Sequence, residues 1–206
     1  MIASPRTASR RAAHALAAAV AIIASTSACS DGGTGGGDET GFVPGDPGST
    51  IVEIADRKPA PDLSGELLGG GSYSSATDRG DDILVVNVWG SWCAPCRAEA
   101  DALEEVYQDL KSQGVQFLGI NTRDQEAYAL AFVTNKGTTY PSLVDDGALQ
   151  AGFSSSLPVA GIPTTFVIDR SGRVAARAVS EVTYTSLLAL VELVLAEDDP
   201  PAGLGQ

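Results

Sequence analysis

Two cysteines separated by two residues, Cys93-Ala94-Pro95-Cys96, stand between an apolar run at residues 83–88 and a stretch at 98–111 rich in Ala, Glu and Leu. The run is bounded by Asp81 and Asp82 and reads as a buried strand. Ala102, Leu103, Val106, Tyr107 and Leu110 recur at helical spacing, so residues 94–111 read as a helix. The chain must therefore turn from strand to helix at the cysteines. A helix amino terminus offers free N–H groups and the positive end of the helix dipole, both of which favour a thiolate. Cys93 is the expected nucleophile, and Cys96, one helical turn deeper, the expected resolving thiol. Pro95 suits the first turn, where its missing N–H has no helical partner to lose.

The rest of the domain alternates. Short strand potential at 62–68 and 72–75 is separated by Gly69-Gly70-Gly71, a turn rather than a phosphate loop, because no Lys-Ser or Lys-Thr follows. Residues 115–121 read as a second buried strand, and 124–135 as a helix with Ala127, Leu130, Ala131 and Phe132 on one side, closed by Lys136-Gly137. A short extended piece at 141–144, a turn at 145–147 and a helical turn or two at 148–153 come next. A hairpin (164–168 and 174–178) and a helix at 183–195 complete the pattern. Strands alternating with helices, followed by a hairpin and a last helix, define an α/β fold with a mixed sheet covered on both faces.

The ends read differently. Arg6, Arg10 and Arg11 precede an apolar stretch at 15–24, and small residues lead to Cys29. This is an export signal over residues 1–28, too short to span a membrane. Arg10-Arg11 reads as an ordinary positive region rather than a twin-arginine signal, because Ala12, Ala13 and His14 follow. Thr26-Ser27-Ala28-Cys29 resembles a bacterial lipobox, with Thr26 where leucine is usual, which makes Cys29 the expected lipidation site and mature amino terminus. Residues 29–50 are Gly, Asp, Thr and Pro, a flexible tether with a reach on the order of 25 Å. The folded domain is expected at 51–197 and a disordered tail at 198–206.

Charge and composition exclude several classes. Residues 1–28 hold three of the 13 basic residues and none of the 26 acids, so their removal moves the formal charge from −13 to −16. Such a surface repels phosphate backbones, and nucleic acid is not an expected partner. The single histidine, His14, lies in the export signal, which leaves no imidazole for a triad or a metal; two cysteines alone make a poor zinc site. No metal and no cofactor are expected.

Trp92-Cys93-Ala94-Pro95-Cys96 after a buried strand resembles the active-site stretch of the thioredoxin superfamily. Over residues 59–195 the chain resembles the exported TlpA and ResA branch of that superfamily. Asn87 stands where cytoplasmic thioredoxins have a buried aspartate; Glu99 matches a glutamate of the branch that handles protons near the buried thiol; and residues 161–169 are similar to its cis-proline segment and following strand. Asp101 departs, standing where many relatives have a helix-kinking proline, which leaves the bend of that helix open.

The resemblance implies a thioredoxin-like fold with a TlpA-type helix-containing insertion between the second strand and the cis-proline segment. It implies a thiol-disulfide oxidoreductase with Cys93, Cys96 and Glu99 as catalytic residues. Trp92 is expected to cover the disulfide, and a cis bond at Pro163 to turn the Ile162 backbone toward an incoming peptide. The implied setting is the outer face of the cytoplasmic membrane. There a monomeric, lipid-anchored disulfide reductase would act on exported proteins such as apocytochrome c and be recharged by a membrane dithiol donor. Glu99 reads equally as a solvated helix residue or as a group exchanging a proton with Cys96 through water. Asn87 reads as a satisfier of buried hydrogen bonds, since an amide accepts no proton at neutral pH.

Three other readings are weaker. A purely structural disulfide closing so short a loop would restrain the unfolded chain little. A peroxiredoxin-like peroxidase would want a threonine and a proline ahead of its cysteine, where Trp89 and Gly90 stand. A copper-binding lipoprotein would want histidine or methionine beside the cysteines.

Overall fold

The computed structural model describes residues 48–197. The export signal, Cys29, the tether up to residue 47 and the tail at 198–206 lie outside the described residues. β1 (Ser49–Ile51) pairs antiparallel with β8 (Val174–Val179), so the folded domain starts two residues ahead of the expected boundary at 51.

Seven consecutive buried residues form β4 (Ile83–Trp89), the central strand. It lies parallel to β5 (Val115–Thr122) through the crossover helix α2 (Ala94–Leu110), and antiparallel to β7 (Thr164–Ile168). With β6 (Ser142–Asp145) beyond β5, the six-stranded sheet runs β1-β8-β7-β4-β5-β6. A strand buried on both faces reads as a nearly continuous apolar run, here interrupted only by Asn87, which is why β4 was visible in sequence without alternation.

Alternation along β4 divides the core. Val85 points to the side covered by α2 and α5 (Tyr184–Glu197), against Leu103, Val106, Leu187 and Val191. Leu84, Val86 and Val88 point to the other side, against Leu118, Ile120, Leu143 and the stacked rings of Phe153 and Phe166. By the same two-residue period Asn87 and Trp89 share the side of Val85 and face α2.

The helix-containing segment between β5 and Pro163 comprises α3 (Glu126–Lys136), β6 and α4 (Ala148–Gly152). Gly137 closes α3 in the left-handed region at φ 69°, its N–H reaching back to Thr134 and Val133. Of the side of α3 expected from spacing, Phe132 packs inward, with Ala129 and Val133, and Leu130 is half-buried, while Ala127 and Ala131 are exposed. The sheet and the cysteines, not the helix's own apolar stripe, choose that face. α2 runs as one α-helix through Asp101, whose exposed carboxylate pairs with Lys136 Nζ at 2.9 Å. β2 (Ser64–Glu66) and β3 (Ser72–Ser74) form the separate hairpin around the triple-glycine turn, followed by the single turn α1 (Ser75–Asp78) and joined to β6 by a bridge between Leu67 and Leu143.

Candidate active site at the end of the central strand

Beyond Trp89 the chain turns through Gly90, whose carbonyl accepts the Cys93 N–H at 3.0 Å. Cys93 is the N-cap of α2, with extended backbone (φ −84°, ψ 116°), and its Sγ accepts the Cys96 N–H at 3.2 Å. Ala94 and Pro95 form the start of the helix, and Cys93 and Cys96 are joined as a disulfide. Cys96 is the deeper, 2% exposed against 5% for Cys93. The helix dipole and an N–H aimed at the Cys93 sulfur favour negative charge at that atom once the bond is reduced.

Trp89, Ala129, Phe132 and Ile162 pack around the two sulfurs, with the Trp89 and Phe132 rings 5.3 Å apart. Trp92 is 56% exposed, and its indole lies on Gly90, where an added Cβ would stand 2.7 Å from Nε1. Parity along β4 turns Trp89 inward, into the cluster that holds both cysteines. The Trp89 Nε1–H donates to Ser142 Oγ at 3.2 Å, a bond that needs glycine at 119: a Cβ there would lie 2.1 Å from Ser142 Oγ and 2.7 Å from Trp89 Nε1. The serine could rotate away, but the wedged indole could not. Gly119→Ala is expected to cost about 2 kcal/mol, read as a lower urea midpoint at unchanged slope; an unchanged midpoint would show that the indole moves freely.

Glu99 is 1% exposed, on the buried stripe of α2 with Cys96, Leu103 and Val106, so it is no solvated helix residue. Its Oε1 accepts from Asn87 Nδ2 at 2.8 Å and its Oε2 from the Val182 N–H at 3.0 Å. Burial pushes this carboxyl up to about 7, against the pull of the Val182 and Asn87 bonds, with the Glu181 charge adding to the rise. Asn87 also donates to Thr165 Oγ1 at 3.0 Å, as expected of a group that satisfies buried partners. A cavity of about 10 Å³ lies against Cys96, Asn87, Tyr140 and Ser142, the room of one water molecule.

The Ile162–Pro163 peptide is cis, Pro163 is buried, and its carbonyl accepts the Ser180 N–H at 3.0 Å. One contributor went unread in the sequence. Asp124 accepts from the Ser91 N–H, Ser91 Oγ, Asn121 Nδ2 and the Gln125 N–H. Burial raises its proton affinity, but the four bonds outweigh that and hold the carboxyl below its ordinary range. It clamps the turn before Cys93 to the start of α3, and an aspartate just ahead of a helix was the signal available. Arg97 Nη1 donates to the Ser91 carbonyl at 3.0 Å from the other side. Among the described residues no group of three His, Cys, Asp or Glu could hold a metal ion.

A mixed sheet flanked by helices, with a dithiol pair capping the helix after its central strand, defines a thioredoxin-fold redox protein. The model of the AhpC/TSA family matches residues 57–177. The chain is 34% identical over 152 residues to the thiol:disulfide interchange protein HelX of Rhodobacter capsulatus, covering 73% of this chain and 82% of that protein. It is 32% identical to the thiol-disulfide oxidoreductase ResA of Geobacillus kaustophilus, covering 59% and 67%. The solved structure of a DsbF homologue from Corynebacterium diphtheriae superposes with a TM-score of 0.64 at 37% identity, covering 76% of this chain and 99% of that one. The protein belongs to the AhpC/TSA family, and within the thioredoxin superfamily it is a ResA- and TlpA-like thiol-disulfide oxidoreductase.

Proposed function

We propose that the protein is an exported disulfide reductase held at the outer face of the cytoplasmic membrane by a lipid on Cys29. The tether from residue 29 to the start of β1 would give a monomeric domain its reach. The observation that carries the redox half is the Cys93 sulfur at the amino terminus of α2, with the Cys96 N–H directed at it and Cys96 buried behind.

In the reduced protein the Cys93 thiolate attacks a substrate disulfide; a new bond forms to Cys93 and the other substrate sulfur leaves as a thiolate. Cys96, losing its proton, attacks Cys93 Sγ and releases the second substrate thiolate. The substrate gains two electrons and the protein keeps the Cys93–Cys96 bond, which a membrane dithiol donor reduces again. Glu99 accepts the Cys96 proton by way of water, a role supported by its burial on the same stripe of α2 as Cys96 and by a proton affinity poised near neutrality. Ile162, packed beside the sulfurs ahead of Pro163, offers its backbone to the substrate strand, and Trp92 flanks it. Exported proteins with disulfides, apocytochrome c among them, are the proposed substrates.

The test is the equilibrium potential of the pair in residues 48–206, titrated against glutathione or dithiothreitol. A two-electron transition at about −270 mV or lower is expected; a value near about −120 mV would make the protein an oxidant and overturn the reductase direction.

A further inference from the structure

Next to the turn that leads into Cys93 lies an open groove of about 570 Å³ between Ser91-Trp92 and α3. Its walls carry Trp92 and Tyr128, 56% and 62% exposed, with Phe132 at its base and Arg123, Gln125 and Asn135 around it. Phe132 also packs on Trp89, which packs on the disulfide, so the base of the groove is continuous with the redox centre.

Two large aromatic rings left in water at one place are costly unless something covers them. The charge beside them says what. Arg123 is exposed and its guanidinium makes no hydrogen bond or ion pair among the described residues; its backbone is held at φ 51°, with its N–H on the Asp145 carbonyl. The nearby Asp124 and Asp145 carboxylates are engaged by main-chain N–H groups. A planar guanidinium without a protein partner, on a residue that lines an aromatic groove and lying over Gly147 beside it, suits a carboxylate. The chain's net charge of −13 opposes an acidic ligand at long range, but at physiological salt charges beyond about 8 Å are largely screened and the local cation decides.

We infer that this groove is a subsite for the polypeptide substrate, taking an aromatic or large aliphatic side chain between Trp92 and Tyr128 and an acidic side chain on Arg123. The inference rests on the oxidoreductase reading and adds a specificity to it: substrates whose cysteine is flanked by an acidic and an aromatic residue are favoured.

The experiment uses reduced protein and short peptides bearing one cysteine as a mixed disulfide with thionitrobenzoate, flanked by Glu-Phe, Lys-Phe, Glu-Ser or no residues. Attack by Cys93 releases the coloured thiolate, and second-order rate constants are compared within each variant. The Glu-Phe peptide should react about threefold faster than Lys-Phe, less so at high salt, and about fivefold faster than Glu-Ser. Arg123→Glu should invert the first ratio and Tyr128→Ala shrink the second. Equal rates for all flanks, or ratios unmoved by both substitutions, overturn the subsite while leaving the oxidoreductase intact. No reaction even with the unflanked probe overturns both. Self-association of the protein abolished by Tyr128→Ala would assign the groove to a second copy and overturn the proposal.

Discussion

Cys93→Ser is expected to abolish disulfide exchange, slowing turnover at least roughly a thousandfold, whereas Cys96→Ser is expected to react once and stay bound to its substrate. The asymmetry follows from position. The Cys93 sulfur caps α2 and receives the Cys96 N–H, while Cys96 lies behind it at 2% exposure, where an incoming disulfide has no approach. Serine at 93 offers no thiolate at neutral pH; serine at 96 leaves the attacking atom in place but removes the sulfur that would displace the substrate. Incubation with an oxidised protein substrate, quenching with acid and non-reducing mass spectrometry would read this directly. Equal trapping by both variants would show that either sulfur can attack, and the assigned order would be wrong.

The second large effect is on pH. Glu99 has a proton affinity raised from 4.5 to about 7 in the folded protein, so the fold binds that proton more tightly than the unfolded chain does. Its contribution to stability is fully present below about pH 4.5, declines as the pH rises, and is lost above about 7. A shift of this size corresponds to on the order of 3 kcal/mol between those limits. Glu99→Gln cannot titrate and should lack this slope, so the difference in unfolding free energy between wild type and variant should change across pH 4.5–7. The same substitution should remove an inflection near neutrality from the pH profile of substrate release. A constant difference across that window would mean that Glu99 stays charged in the fold and carries no proton for Cys96.

Much of the frame was legible because its signals are local. β4 is an apolar run broken only by Asn87, α2 opens with a proline-bearing first turn, and the β7–β8 hairpin sits around Asp169 to Gly172. Local signals failed where a tertiary partner chose between faces. α3 was read as packing on Ala127, Leu130, Ala131 and Phe132; the cysteine cluster kept Phe132 but took Ala129 beside it and left Ala127 and Ala131 in water. Two tryptophans precede the cysteines; strand parity, set only once β4 lies between β5 and β7, sent Trp89 inward, while Trp92, in the turn beyond the strand, stays in water. The burial of Glu99 had a sequence signal: it shares a helical stripe with Cys96, Leu103 and Val106, which outranks the habit of placing glutamate in solvent. β1 had none, since Ser49-Thr50-Ile51 is too short and polar to stand out from the tether before it.

The sequence by itself determined the redox pair. A dithiol spaced by one helical turn at a strand-to-helix junction needs only neighbours along the chain, and the N–H that favours a thiolate at Cys93 comes from Cys96, three residues away. The tertiary structure alone decided the protonation state of the carboxyl buried beneath that pair. The state of Glu99 depends on desolvation within the core and on donors from Asn87 and from Val182, 83 residues along the chain. Burial and opposing hydrogen bonds act through space, so their balance exists only after the sheet, α2 and the loop before α5 have closed around the carboxyl.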